Sequence, residues 1–521
     1  MERQEEELFH KAFRGIANDP NLNFTQKSRY LALQADDMLP YPELDVQAKG
    51  AMESGLICDM FEGHAPFKPR YVMPDYQKAI IQGSEWLELA PPEDLDEAIN
   101  FLLILFHHVP SVTNIPVFIG RLDQLLSPFI DDSITDKLLH KKIRLMWQMI
   151  DRTLPDAFLH VNIGPEDSRI ARTILAVDRE LKQVVPNLTL RFDPSVTPDS
   201  LLQMAVENIS LCNKPHIVNE VMNAAEFVTP EDPRGFGIAS CYNSLPLGGG
   251  AHTLVRINLK KAAESSDGSV ENFIERVLPE VSGLTYQIIR ARIDYLVNQS
   301  NFYQSSFLVK EGLIEQNRFT AMFGIFGLAD AVNLLLKRKP DEGYGYCEQA
   351  QDLALEIVKT LSDIVKSTEL EHCWNNRALF HAQSGISLDN DVSPACRIPY
   401  GYEPGTLQHL QTVLPLHKYF TAGISDIFPI DETIEKNPLA LMAICKGAFQ
   451  KGLRMFTANV ANNELVRVTG YMVRCSDIKK LKEEGSRLNT TAFGSEAMDN
   501  CGINSRNAQI ITDDIPWSKR Q

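Results

Sequence analysis

Apolar positions recur along this chain at two different periods, and the change from one to the other divides it. Up to about residue 155 the spacing is helical. Asp94 to His108 carries a capping acid ahead of a thick apolar face, and Val117 to Leu126 and Ile134 to Leu154 continue in the same style. Pro91, Pro92 and Pro155 punctuate the boundaries. Past residue 156 strands and helices alternate: Ala157 to Ile163 reads as a strand, Glu166 to Val184 as a helix, and Leu188 to Phe192 as a strand. The next helix opens with Thr197 as N-cap and Pro198 in its first turn. After residue 230 come strands at Phe236–Ala239 and Leu254–Ile257, then helical patterns at Val270–Val297, Arg318–Leu336 and Gln349–Val365. Such alternation predicts an α/β fold with a parallel sheet or barrel and right-handed crossovers. The expected organisation is a helical N-terminal region over 1–155, an α/β core over 156–435 and a C-terminal segment over 436–521, ending in a polar, irregular tail from Gly485.

Composition narrows the partners. A chain of 521 residues with 44% hydrophobic character buries a large core. A formal charge of −17 disfavours both nucleic acid and anionic membrane surfaces. The acidic opening Met1 to Glu7 lacks the basic-then-apolar order of a signal peptide, and Phe101 to Phe106 is too short to span a bilayer, so a cytoplasmic location is expected. The nine cysteines form no Cys-x-x-Cys, which predicts reduced thiols rather than a zinc or iron–sulfur site.

The sharpest local signal is Val466-Arg467-Val468-Thr469-Gly470-Tyr471-Met472-Val473-Arg474, a strand, a glycine break and a second strand. Read plainly, it is a hairpin whose tip needs the conformational freedom of glycine. Arg-Val-Thr-Gly-Tyr also resembles the C-terminal signature of the glycyl radical enzymes, in which the glycine stores an unpaired electron. A Cα radical is stabilised when it flattens and delocalises into the flanking amides, and a Cβ would crowd that geometry. Phe236 to Ser244 supplies the second half of the resemblance: Cys241 sits where an apolar strand breaks into a loop, and His252 to Leu259 returns as a strand. By itself Cys241 reads as a buried, inert thiol; within the family pattern it is the thiyl cysteine.

Two more stretches carry the resemblance. Phe319 to Leu328 resembles a glycine-containing barrel helix of pyruvate formate-lyase-like and anaerobic ribonucleotide reductase-like members, and Arg397 to Gly423 resembles the approach to the radical domain. Along nearly its whole length the chain is similar to the YjjI-type glycine radical proteins. The resemblance implies a ten-stranded α/β barrel with a helical N-terminal layer, a stored radical on Gly470 and a thiyl radical on Cys241. It further implies activation by a separate radical-SAM enzyme that uses S-adenosylmethionine and an iron–sulfur cluster, a small-molecule substrate, no other bound cofactor or metal, and a homodimer. Arg467 and Tyr471 are expected to anchor the glycine loop, and the polar Tyr242, Asn243, Arg397 and Glu403 flank the motifs without an assigned role. Departures bear on the reaction. Eliminating members carry a glutamate base two residues past the cysteine, where this chain has Asn243. Cys241 lies between Ser240 and Tyr242, without the adjacent cysteine of pyruvate formate-lyase. Formate C-acetyltransferase-like acyl transfer, or a non-catalytic radical-bearing partner protein, are the alternatives to small-molecule hydrogen abstraction.

Overall fold

The computed structural model describes residues 2–485, apart from 37, 61–66, 112–114, 155–157, 231, 240–241, 384–391, 431–432, 434–435, 461–462 and 468–471. In chain order the strands are β1 (Ile57–Asp59), β2 (Tyr71–Met73), β3 (Phe118–Arg121), β4 (His160–Ile163), β5 (Asn187–Phe192), β6 (His216–Asn219), β7 (Phe236–Ala239) and β8 (Asn243–Pro246). They continue with β9 (Gly249–Asn258), β10 (Phe319–Phe326), β11 (Leu379–Ala382), β12 (Phe428–Ile430), β13 (Met455–Phe456), β14 (Ala458–Val460), β15 (Leu465–Arg467) and β16 (Met472–Arg474). Among the described residues no helix is long and apolar enough to cross a membrane.

Two five-stranded sheets make the core. The first has the order β1-β9-β10-β11, with β2 also pairing β9; the second has the order β13-β6-β5-β4-β3. Within each, the strands separated by helical crossovers run parallel: β9, β10 and β11 in one, β3 to β6 in the other. The crossover helices Arg169–Leu181 and Asp199–Cys212 have the buried apolar faces that such packing requires. Helix Leu278–Asp294 covers the first sheet, where Tyr286 packs on Phe323 at 5.3 Å between ring centroids.

The ten-stranded α/β architecture is therefore present, but the strands do not close into one ring. Among the described residues no strand of one sheet is hydrogen bonded to a strand of the other. The β7–β8 hairpin bridges them instead. On one side Ser244 N donates to Ala422 O at 3.0 Å, and Ala422 N donates to Phe380 O of β11 at 3.0 Å. The stretch 422–425 thus extends the first sheet to the hairpin, with Ala382 and Ile424 in a parallel bridge. On the other side Asn162 of β4 pairs with both backbone groups of Ile238: Nδ2 donates to its carbonyl and Oδ1 accepts from its N–H, each at 2.9 Å. Arg191 of β5 adds Nη1 to Phe236 O at 3.1 Å.

Several sequence expectations are corrected here. Phe319–Phe326 is strand β10, not a barrel helix, and the helix predicted over Arg318–Leu336 shrinks to Leu328–Leu335. Every residue of β10 is buried, so its two faces are equally apolar and no period distinguishes strand from helix. Val117–Leu126 holds strand β3 before a short helix, and β1 and β2 also precede residue 155, so the N-terminal region feeds both sheets rather than forming a purely helical layer. Thr197 does not cap the helix at Asp199–Cys212, because its Oγ1 donates to Pro165 O at 2.9 Å and accepts from Asp193 N at 3.1 Å. The tail beyond Gly485 lies outside the described residues.

Candidate functional site

Cys241 and Gly470, the two residues the sequence singles out, both lie outside the described residues, as does Tyr471. Their chain neighbours do not. Ala239 and Asn243 pair at the end of the β7–β8 hairpin, and Arg467 and Met472 pair at the end of the β15–β16 hairpin. The two hairpins are held by the same device. As Asn162 clasps Ile238, so Asn459 clasps Arg467: its Oδ1 accepts from Arg467 N at 3.0 Å and its Nδ2 donates to Arg467 O at 2.8 Å. Asn213 completes the anchorage, donating from Nδ2 to Leu465 O and accepting from Val460 N, both at 2.7 Å. The wholly buried Lys214 beside it is fixed by Asp178, with Nζ 2.5 Å from Oδ1.

Both hairpins meet at one cluster. The Arg467 side chain is fully buried. Its Nη2 donates to Asn213 O at 2.6 Å, and its Nη1 lies 2.8 Å from His216 Nε2 and 3.4 Å from Asn187 Oδ1. The Tyr242 side chain shares a hydrogen bond with the same guanidinium and sets its ring edge-on to His216, 4.4 Å between centroids. The residue following Cys241 and the residue three before Gly470 therefore share one imidazole. His160 stacks on the far side of His216 at 5.4 Å and places its Nε2 3.0 Å from Thr189 Oγ1.

The protonation of His216 follows from its partners. A guanidinium only donates, so Nε2 must be the accepting nitrogen; the proton is then on Nδ1, which donates to Thr457 Oγ1 at 3.1 Å. Burial, and then the positive charge of Arg467, hold His216 well below the usual histidine range. Burial likewise lowers Arg467, opposed by Tyr242. A neutral imidazole thus links a buried cation to the aromatic ring beside Cys241.

Of the other flanking groups, Asn243 is fully buried and donates from Nδ2 to Ala239 O at 3.3 Å across the hairpin. Arg397 ties its loop to the 422–425 stretch, Nη2 donating to Ser425 Oγ at 2.7 Å and Nε to Ser425 O at 3.1 Å. Glu403 accepts from Gly401 N in a local turn. Among the described residues no group of three or more His, Cys, Asp or Glu side chains is placed to hold a metal ion. His160, Asn162, Asn187, Thr189, Asn213, His216 and Asn459 went unnoticed in the sequence. Their signal was available in part: β4 and β5 alternate polar and apolar residues although every position is buried, which marks a polar interior face.

Three further buried histidines make stability depend on pH. Burial lowers His252 to about 4 and both His381 and His417 to about 3. All three are neutral in the fold, whereas the unfolded chain takes up protons from about 6.5 downward. Their contribution is complete above pH 6.5 and is lost as pH falls toward 4 and then 3. At pH 5.5 each is expected to cost about 1.4 kcal/mol relative to neutral pH. Urea unfolding across this range should show the midpoint falling steadily; an unchanged midpoint would contradict the neutral assignment.

The family model described as glycyl radical enzyme YjjI-like matches residues 22–509. The protein YjjI of Escherichia coli (strain K12) is 50% identical over 513 residues, 98% of each chain. A Haemophilus influenzae protein is 39% identical over 493 residues, 92% of this chain and 94% of its own. Among solved structures, an anaerobic ribonucleotide reductase superposes with a TM-score of 0.71 at 13% identity, covering 96% of this chain and 91% of that one. Hydroxyproline dehydratase from Clostridioides difficile, with trans-4-hydroxy-L-proline bound, gives 0.71 at 13% identity, covering 94% and 88%. The structural likenesses carry the fold, and the sequence matches carry membership: this chain belongs to the YjjI-like family of glycyl radical enzymes.

Proposed function

We propose that this protein stores a radical on Gly470 and uses Cys241 to abstract hydrogen from a small-molecule substrate under anaerobic conditions. A separate radical-SAM activase, with its own iron–sulfur cluster, removes one hydrogen atom from the Gly470 Cα. The glycyl radical then takes the hydrogen of the Cys241 thiol, restoring Gly470 and leaving a sulfur radical. That radical takes a hydrogen from a substrate carbon, re-forming the thiol; after rearrangement the product radical recovers a hydrogen from Cys241, and the radical returns to Gly470. Each hydrogen transfer among Gly470, Cys241 and substrate exchanges one S–H or C–H bond for another, so turnover needs no external electron; the single electron that cleavage of S-adenosylmethionine requires enters at activation, through the activase's reduced iron–sulfur cluster.

The observation that supports this reading is the shared cluster of Arg467, His216 and Tyr242, which ties the flanks of two positions 229 residues apart in sequence to one point of the interior. The test is anaerobic electron paramagnetic resonance on protein co-expressed with the activase, followed by brief exposure to air and intact mass analysis. A doublet from the single Gly470 α-hydrogen is expected, with oxygen cutting the chain at Gly470. No doublet and an uncut chain, from an activase competent on another target, would sink the assignment.

A further inference from the structure

At the carboxyl ends of β5 and β6 lies a cavity of about 480 Å³, within the range of small-molecule sites, roughly 300–1,000 Å³. Three helices frame it. Asp199–Cys212 and Glu220–Phe227 follow the two strands, and the last turns of Pro438–Gln450 bring in Lys446 and Phe449. In open α/β sheets ligands bind in the crevice outside the carboxyl ends of the strands, and the second sheet is open in this way. The cavity is on that sheet's outer face. Side chains alternate along a strand, so Phe192 and Asn219, which pair in register, point away from the face that carries Arg191 and His216. It is therefore separate from the cluster of Arg467, His216 and Tyr242.

The walls are held in place by the fold. Asn219 accepts from Met222 N through Oδ1 and donates from Nδ2 to Leu453 O, both at 3.1 Å, which ties the start of one helix to the segment beyond another. The buried rings of Phe192 and Phe449 stack at 5.5 Å between centroids, and Val221, Met222 and Pro194 extend the apolar lining. Charge enters at one place. Lys446 Nζ lies 2.5 Å from Asp199 Oδ1, with the lysine side chain 32% and the aspartate side chain 69% exposed. At that exposure the pair adds little to the fold, so both ions are free to exchange partners with a ligand.

Two opposite charges beside an apolar recess select a ligand by its own charges. A lone carboxylate would gain Lys446 but face Asp199, and a lone amine would gain Asp199 but face Lys446. A zwitterion satisfies both ions at once and leaves its side chain for the apolar walls. We infer that this cavity binds a free α-amino acid with an apolar side chain, its carboxylate on Lys446, its ammonium on Asp199 and its side chain against Phe192, Phe449 and Met222. The inference goes beyond the radical chemistry proposed above and does not depend on it.

Titration calorimetry of the full-length, radical-free protein tests this with leucine and phenylalanine. At least one is expected to bind, one molecule per chain. Glycine, which lacks the side chain, is expected to bind about tenfold more weakly or worse. The same holds for the singly charged analogues, 4-methylpentanoate and isopentylamine for leucine, 3-phenylpropionate and phenethylamine for phenylalanine. Lys446→Ala and Asp199→Ala each remove one ion from the rim and leave the core intact, and each is expected to weaken the amino acid by about tenfold. Should either fail to fold, Lys446→Gln or Asp199→Asn, which removes the charge and keeps the shape, carries the same expectation. Binding by neither amino acid, a singly charged analogue that matches its parent, or affinity unchanged in the folded rim variants would each overturn the inference.

Discussion

Gly470→Ala is expected to yield no organic radical at all after activation, whereas Cys241→Ser is expected to yield the wild-type doublet and no turnover. The difference comes from what each residue supplies. At position 470 an added methyl crowds the planar arrangement that delocalises the electron into the adjoining amides. The serine O–H bond at position 241 is too strong for a glycyl radical to break, so the radical stays where the activase put it. Neither change should unfold the protein. The β15–β16 hairpin is anchored through Arg467, Asn459 and Asn213, none of which is altered. If position 470 has a positive φ, alanine costs about 1–2 kcal/mol there, small against the stability of a chain of this size. Spin counting per chain, with denaturant midpoints measured alongside, checks both. A doublet in Gly470→Ala would move the radical elsewhere, and substrate consumption by Cys241→Ser would remove that cysteine from the mechanism.

What the sequence offered about this site was its two proposed ends. Gly470 and Cys241 stand in short contiguous motifs, and the chemistry proposed for them requires one residue type each, so local reading suffices to nominate them. Their connection was not legible. His216 is 25 residues before Cys241 and about ten times as far from Gly470, and a lone histidine on a buried strand reads as a packed core residue until Arg467 and Tyr242 are placed against it. The Asn162 and Asn459 clasps were invisible for the same reason: an asparagine announces a turn or a cap locally, and neither acts locally here. The fold divided similarly. Crossover units such as β4, the helix Arg169–Leu181 and β5 are sequence-adjacent and were read directly. Strands buried on both faces, β10 above all, show no period, and strand β3 was absorbed into neighbouring helical spacing. Closure of the barrel depends on long-range pairing, and only the structure reveals that the β7–β8 hairpin and the 422–425 stretch span the gap between the sheets.

Arg467→Met is expected to release the β15–β16 hairpin while the two sheets stay folded. Methionine keeps most of the aliphatic stem and removes the fork, leaving Asn213 O and His216 Nε2 without their donor inside the protein. Two orphaned acceptors cost on the order of 3 kcal/mol together, roughly a hundredfold in the opening equilibrium of the segment they hold. Amide hydrogen exchange should therefore accelerate by about that factor at Leu465–Arg467 and Met472–Arg474, and change little in β4 to β6. Arg467→Lys retains a charge but cannot reach both acceptors, so it should fall between. The decisive comparison pairs Arg467→Met with Tyr242→Phe, which keeps the ring on His216 and removes only the hydroxyl. If Arg467 couples the glycine hairpin to the cysteine loop, the double variant should lose about 1 kcal/mol less than the two single losses together. Strict additivity would mean that the hairpins merely share a neighbourhood, and that whatever passes between Gly470 and Cys241 does so without mechanical help from this cluster.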